Sequence, residues 1–304
     1  MCERGIESRQ ESAQINEYRV TTRRFVLAVR RVTERRGMTS VRSAAVAGSF
    51  YPSEPRELRK QLGRLLSAAG GSLAPPKAVI VPHAGYVYSG AVAAAAYAAL
   101  HDHRDTIRRV VLLGPAHRVY LAGLGAPTAA EFETPLGRVA IDQDAVAELL
   151  ANLPFVQARD DAHRDEHSLE VQIPFLQTTL GDFRLLPLVV GDAPREQVEI
   201  VLERIWGGAE TLIVVSSDLS HYHQYAVAQQ IDGSTTSAIE QLRPEAIDSA
   251  HACGQVPLRA LLGVAKHRHM EVHTAKQCNS GDTAGPTDRV VGYGAYLFYE
   301  RSAT

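Results

Sequence analysis

Cysteine is scarce in this chain of 304 residues: there are three, at Cys2, Cys253 and Cys278. So few, so widely spaced, cannot build a disulfide framework. The expected compartment is therefore the reducing cytoplasm, where a cysteine that matters acts as a thiolate. Long apolar runs are missing too. None approaches the roughly 18 residues that a membrane helix needs, so no membrane partner is expected. Charge of one sign is also absent: the formal net charge is −2. With no basic stripe interleaved with aromatics, the usual footprint of nucleic-acid binding is excluded. No P-loop is present. Ser216, Ser217 and Ser220 lack a Gly-x-Ser-x-Gly elbow, which argues against a serine hydrolase. Gly292-Tyr293-Gly294 falls in a terminal strand with no helix after it, so it is no dinucleotide fingerprint.

What remains is ordinary globular material, 45% hydrophobic and 22% charged, with no internal repeat and no low-complexity linker. The length allows one large domain or two small ones, and the patterning favours one α/β domain over residues 41–301. Residues 1–40 stand apart. The first 37 hold nine Arg and five Glu, and their apolar patch, Phe25 to Val29, is too short for a signal-peptide core. The expectation is a disordered extension, and Met38 is a candidate true start.

Three apolar runs organise the rest, and each stops in polar residues. Ala78 to Val81 ends at Pro82-His83, followed by an alanine-rich helix over Ala91 to Leu100. Arg109 to Leu113 ends in Gly114-Pro115-Ala116-His117. Thr211 to Val215 ends in Ser216-Ser217-Asp218-Leu219-Ser220-His221. His83 and His117 are 34 residues apart, about one strand–helix–strand unit. Sequential parallel strands usually lie side by side, so both imidazoles are expected at the same sheet edge, where open α/β sheets gather their chemistry.

A lone histidine past a strand is usually structural. Two in matched contexts have metal-ligand character, since neutral imidazole suits iron, zinc, copper or nickel. Third-ligand candidates are Cys253, Asp218 and His221. Each has a plainer reading: Cys253 as a small buried hydrophobe, Asp218 as the cap of a following helix. Asp218 and His221 could also act as an acid–base pair, the carboxylate orienting the imidazole. In Asp165-Glu166-His167-Ser168-Leu169-Glu170, a loop running into a helix, His167 and Glu170 share a face at i,i+3 and join the catalytic candidates. His267, His269 and His273 span a helix end and a strand, so no one face holds them. His101, His103 and His163 look like solvated surface. Ser53 reads as the N-cap of a helix carrying Leu58, Leu62, Leu65 and Leu66.

Taken in order, Pro82-His83-Ala84-Gly85-Tyr86, Gly114-Pro115-Ala116-His117, Asp165-Glu166-His167-Ser168, Ser216-Ser217-Asp218-Leu219-Ser220-His221 and Cys253-Gly254 resemble the Memo family. Its prokaryotic members are called AmmeMemoRadiSam system protein B. Gly48-Ser49-Phe50-Tyr51-Pro52, Ser280-Gly281-Asp282 and Arg289-Val290-Val291-Gly292-Tyr293 extend the likeness to about Val41–Tyr299. The resemblance implies a mainly parallel or mixed central sheet flanked by helices, similar to LigB-type class III extradiol dioxygenases, which hold Fe(II) at one end of the sheet. It implies a metal pocket of His83, His117 and Cys253, with Asp218 and His221 as the neighbouring polar pair. A thiolate departs from the carboxylate that the dioxygenases use as third ligand. The family name also implies AMMECR1-like and radical SAM proteins as partners. Three functions compete: an oxidoreductase using iron or copper, with zinc as a further candidate metal; a non-catalytic protein that binds a metal, a small molecule or a peptide; and a metal-assisted hydrolase.

Overall fold

The computed structural model describes residues 40–69 and 75–301; the expectations for the N-terminal extension and for Met38 lie outside them. The strands, in chain order, are β1 (Val41–Arg42), β2 (Ala78–Val81), β3 (Arg109–Pro115), β4 (Leu124–Ala126), β5 (Glu131–Thr134), β6 (Gly137–Ala140), β7 (Val156–Ala158), β8 (Arg184–Val190), β9 (Thr211–Ser216), β10 (His221–His223), β11 (Glu271–Asn279) and β12 (Val290–Tyr299). Val, Ile and Leu dominate β2, β3, β8 and β9, and nearly every residue of the four is buried. Such runs, apolar on both faces, suit parallel strands covered by helices.

They form the centre of a 9-stranded sheet in the order β10-β12-β2-β9-β3-β8-β4-β7, with β11 on the other edge of β12. β2, β9, β3 and β8 are mutually parallel; β12 and β4 flank them antiparallel. The fold is thus a single α/β domain on a mixed sheet, as the patterning predicts. One topological expectation is corrected. β2 and β3 are not neighbours, because β9 lies between them, pairing Val81↔Ser216 on one side and Leu113↔Val215 on the other. The consequence drawn from it still holds. All three strands run the same way, so the residues after each emerge on one rim.

Helices Tyr86–Tyr97, Arg195–Ile205, Tyr225–Glu240 and Gln255–His267 pack around this sheet. The first of them starts at Tyr86, five residues before the expected Ala91, on Gly85 in extended conformation. Helix Pro55–Ser67 is capped by Glu54, not Ser53. The Glu54 carboxylate accepts from the N–H groups of Arg56 and Glu57 at 2.8 and 3.0 Å, and Pro55, lacking an N–H, fits the first helical position. Among the described residues no helix is long and apolar enough to cross a membrane.

A second, 3-stranded sheet, β1-β5-β6, is tied to the site through Glu170. Glu170 is fully buried and accepts from the Arg42 guanidinium on β1, from the N–H groups of Ala45 (2.7 Å) and Val46 (3.0 Å), and from the Tyr51 hydroxyl (2.5 Å). The turn Gly48–Pro52 is thereby clamped onto the short helix His167–Glu170.

Candidate metal centre

His83 follows Pro82, which ends β2, and is 2% exposed. Its N–H donates to Asp218 Oδ1 at 2.8 Å, and its Nδ1 lies 3.0 Å from Ser216 Oγ. The Ser216 proton is already directed to the Ser168 carbonyl at 2.6 Å, and Gln172 Nε2 donates to Ser216 Oγ at 2.8 Å. Ser216 Oγ is therefore an acceptor for His83, which fixes the Nδ1–H tautomer. The lone pair sits on Nε2. Gln172 is held in turn by the Tyr97 hydroxyl (3.0 Å) and the Pro82 carbonyl (2.9 Å). Burial, and then the neighbouring His117, pushes the His83 pKa down to about 3, so the ring is neutral at physiological pH.

His117, just past β3, is oriented by Glu166. Its Nδ1 is 3.0 Å from Oε1, and its N–H donates to Oε2 at 2.6 Å. A carboxylate can only accept, so Nδ1 carries the proton and Nε2 is again free to bind a ligand. Glu166 is the N-cap of the helix His167–Glu170 and also accepts from Ser168 N–H at 2.8 Å. Burial alone would raise its pKa; the hydrogen bonds from His117 and Ser168 outweigh it and bring it down to about 2.

His167 completes a cluster. One ligand atom from each of His83, His117 and His167 lies within 4.8 Å of the others. The rings of His117 and His167 stack at 4.8 Å, and each stands edge-on to His83, at 5.1 and 5.4 Å. Phe50 closes over His167 at 4.8 Å. His167 Nδ1 is buried without a hydrogen-bond partner, although Glu166 Oε1 is 3.3 Å away. Burial, then the neighbouring His83, lowers the His167 pKa to about 4. Three imidazoles packed together, two with tautomers set by outer hydrogen bonds and one with an orphaned nitrogen, fit a transition-metal ion.

Cys253 touches this cluster at one corner. Its Sγ is 3.2 Å from His83 Nε2, so the thiol donates to that lone pair. Burial, and then Asp218, pushes its pKa up to about 12. Two ligands of a tetrahedral centre with ordinary Zn–N and Zn–S lengths would be about 3.6 Å apart, so the pair needs little movement to share an ion.

The remaining sequence candidates separate. Asp218 is buried on the same rim, with Oδ2 4.0 Å from His83 Nε2. It caps no helix, since β10 follows it. Burial raises its pKa against the opposing pull of the His83 N–H. His221 is not oriented by Asp218: its Nδ1 is 2.8 Å from the Leu219 carbonyl, which leaves Nε2 as the acceptor. Glu170 does not join the histidines. The helix that carries it has four residues, and its carboxylate turns to Arg42 and the Gly48–Pro52 turn. His163, expected at the surface, is 2% exposed. Its Nε2 meets the Gly125 carbonyl at 2.9 Å.

Glu166, Ser216 and Gln172 are the residues that sequence reasoning missed. For Glu166 a signal existed: an acid directly before a helix start is a natural N-cap. For Ser216 and Gln172 there was none. A cavity of about 280 Å³ lined by Ala116, Val119, Tyr120, Asp192 and Val256 reaches Cys253. A larger cleft, about 800 Å³, opens at the amino ends of β3 and β8, the opposite edge from this chemistry.

A family model described as Memo-like protein matches residues 42–297. A MEMO1 family protein of Saccharolobus solfataricus is 33% identical over 286 residues, covering 84% of this chain and 99% of the relative. A MEMO1 family protein of Metallosphaera sedula is 34% identical over 280 residues, with the same coverage.

Proposed function

We propose, for a chain that belongs to the Memo-like protein family, that it is a metal-dependent oxidoreductase using iron or copper at the histidine cluster. The observation that carries this reading is the set of three imidazoles whose ligand atoms lie within 4.8 Å of one another, with the Cys253 thiol against one of them. Imidazole with thiolate selects iron, copper or zinc over magnesium or calcium. A bound iron or copper ion would supply one-electron exchange and a position for an exchangeable ligand.

The chain's own residues do the rest. Glu166 and Ser216 hold His117 and His83 with Nε2 presented. A bound ion would lower the Cys253 pKa, and the thiolate would then be a further donor. Asp218, whose pKa burial raises, holds a proton nearer neutrality than an ordinary carboxylate and can hand it on. His221, proton on Nδ1, receives one at Nε2. Phe50 keeps water off His167. On this reading the chain stands beside the LigB-type extradiol dioxygenases in fold, with imidazole or thiolate where they use carboxylate. AMMECR1-like and radical SAM proteins would then be partners in a shared pathway.

Oxygen uptake in the presence of a reductant tests it. Protein loaded with iron or copper should consume O₂, and zinc-loaded protein should not. Uptake by neither the iron nor the copper form would leave a non-catalytic metal binder. Hydrolysis of a model ester or amide by the zinc form would favour the hydrolase instead.

A further inference from the structure

We propose that Tyr222 and Arg289 form a docking lip beside the metal centre that takes a planar organic carboxylate. The inference rests on the metal-centre reading above and names the class of substrate it would serve.

Three described non-glycine residues have positive φ: Tyr222 (61°), Leu242 (51°) and His269 (53°). Two have an ordinary reason. Leu242 and His269 lie just beyond the ends of helices Tyr225–Glu240 and Gln255–His267, where a left-handed residue commonly closes a helix. Tyr222 ends no helix. It sits within β10, where the pairing slips: His221 is opposite Val291 and His223 opposite Val290. Two steps along β10 match one along β12, so Tyr222 is the extra residue of a bulge. A bulky side chain in the left-handed region is strained, and such strain collects at functional sites. Bulges do the same when a side chain must be re-aimed. Burial does not explain the choice, because Tyr222 is 65% exposed.

The aim of the ring is informative. It lies 5.6 Å from the His221 ring, three residues along the chain from Asp218, whose Oδ2 is 4.0 Å from His83 Nε2. The Arg289 guanidinium stands 5.3 Å from the Tyr222 ring centroid. No carboxylate among the described residues pairs with it. The lip therefore offers an exposed aromatic ring and an unneutralised planar cation side by side. A flat ring would stack on Tyr222 while its carboxylate took the Arg289 fork.

The test uses the full, metal-loaded protein and three probes: benzoate, benzamide and cyclohexanecarboxylate, titrated by calorimetry or ligand-observed NMR. Benzoate should bind about ten-fold more tightly than either probe lacking the charge or the flat ring. Tyr222→Gly and Arg289→Gln should each weaken benzoate about ten-fold, with metal content unchanged. Tyr222→Gly should melt no lower than wild type, because glycine relieves the strained φ. Benzoate binding that survives both substitutions, or fails to exceed that of benzamide, overturns the proposal. So does a large drop in melting temperature for Tyr222→Gly, or its failure to fold, either of which would make the ring a packing residue. Failure of the metal reading would appear separately, as wild-type protein that takes up no metal.

Discussion

Glu166 holds two backbone N–H groups and the His117 ring with one carboxylate. An amide has one accepting oxygen and cannot repeat that set. Glu166→Gln should therefore weaken metal binding about 10–100-fold, the usual cost of losing an outer partner of a ligand histidine. Equilibrium dialysis with the metal measures it. Cys253→Ser should weaken iron, copper and zinc while leaving the fold intact; Cys278→Ser, the control, should not. Acid should destabilise the metal-free protein. His83 (about 3), His163 and His167 (both about 4) sit below the ordinary 6.5, so between these values the unfolded chain binds protons that the native state refuses. Stability then rises with pH across that window and is lost as pH falls from 6.5 towards 4. Glu166, lowered from 4.5 to about 2, adds stability that is present above 4.5 and lost below it. Urea midpoints at pH 6.5 and 4.5 check this; equal midpoints would refute it. His83 and His117 were legible in the sequence because each directly follows a strand that stops near a proline. Ser216 and Gln172 were not, because their roles depend on partners 133 and 44 positions away along the chain.

The short helix His167–Glu170 presents two faces to two different tasks. His167 goes to the histidine cluster, and Glu170 goes to Arg42, Tyr51 and the turn between them. The i,i+3 spacing that linked them in the sequence did not separate these faces, since four residues make barely one turn. Glu170→Ala would leave the Arg42 guanidinium buried and unpaired, at a cost of about 3–5 kcal/mol. The variant should melt well below wild type and yet, where folded, bind metal with unchanged stoichiometry. Loss of metal from a fully folded Glu170→Ala protein would return Glu170 to the site. The strands were legible from their apolar runs, but their order was not. β9 enters between β2 and β3 from about a hundred residues further along the chain, and nothing local marks a strand for insertion.

Taken whole, the molecule is a mixed sheet whose parallel centre delivers His83, His117 and Asp218 to one rim, where the short helix His167–Glu170 adds His167. An ion bound there links three separate stretches of chain and is absent from the unfolded state, so loading should raise the melting temperature, more so at higher free metal. The most direct test is metal analysis of untagged protein purified without oxygen, alongside His83→Ala and His117→Ala variants checked for folding. The account predicts about one equivalent of iron or copper per wild-type chain and almost none in either variant. Wild-type protein that is empty and stays empty on reconstitution, or variants that retain the metal, would contradict it.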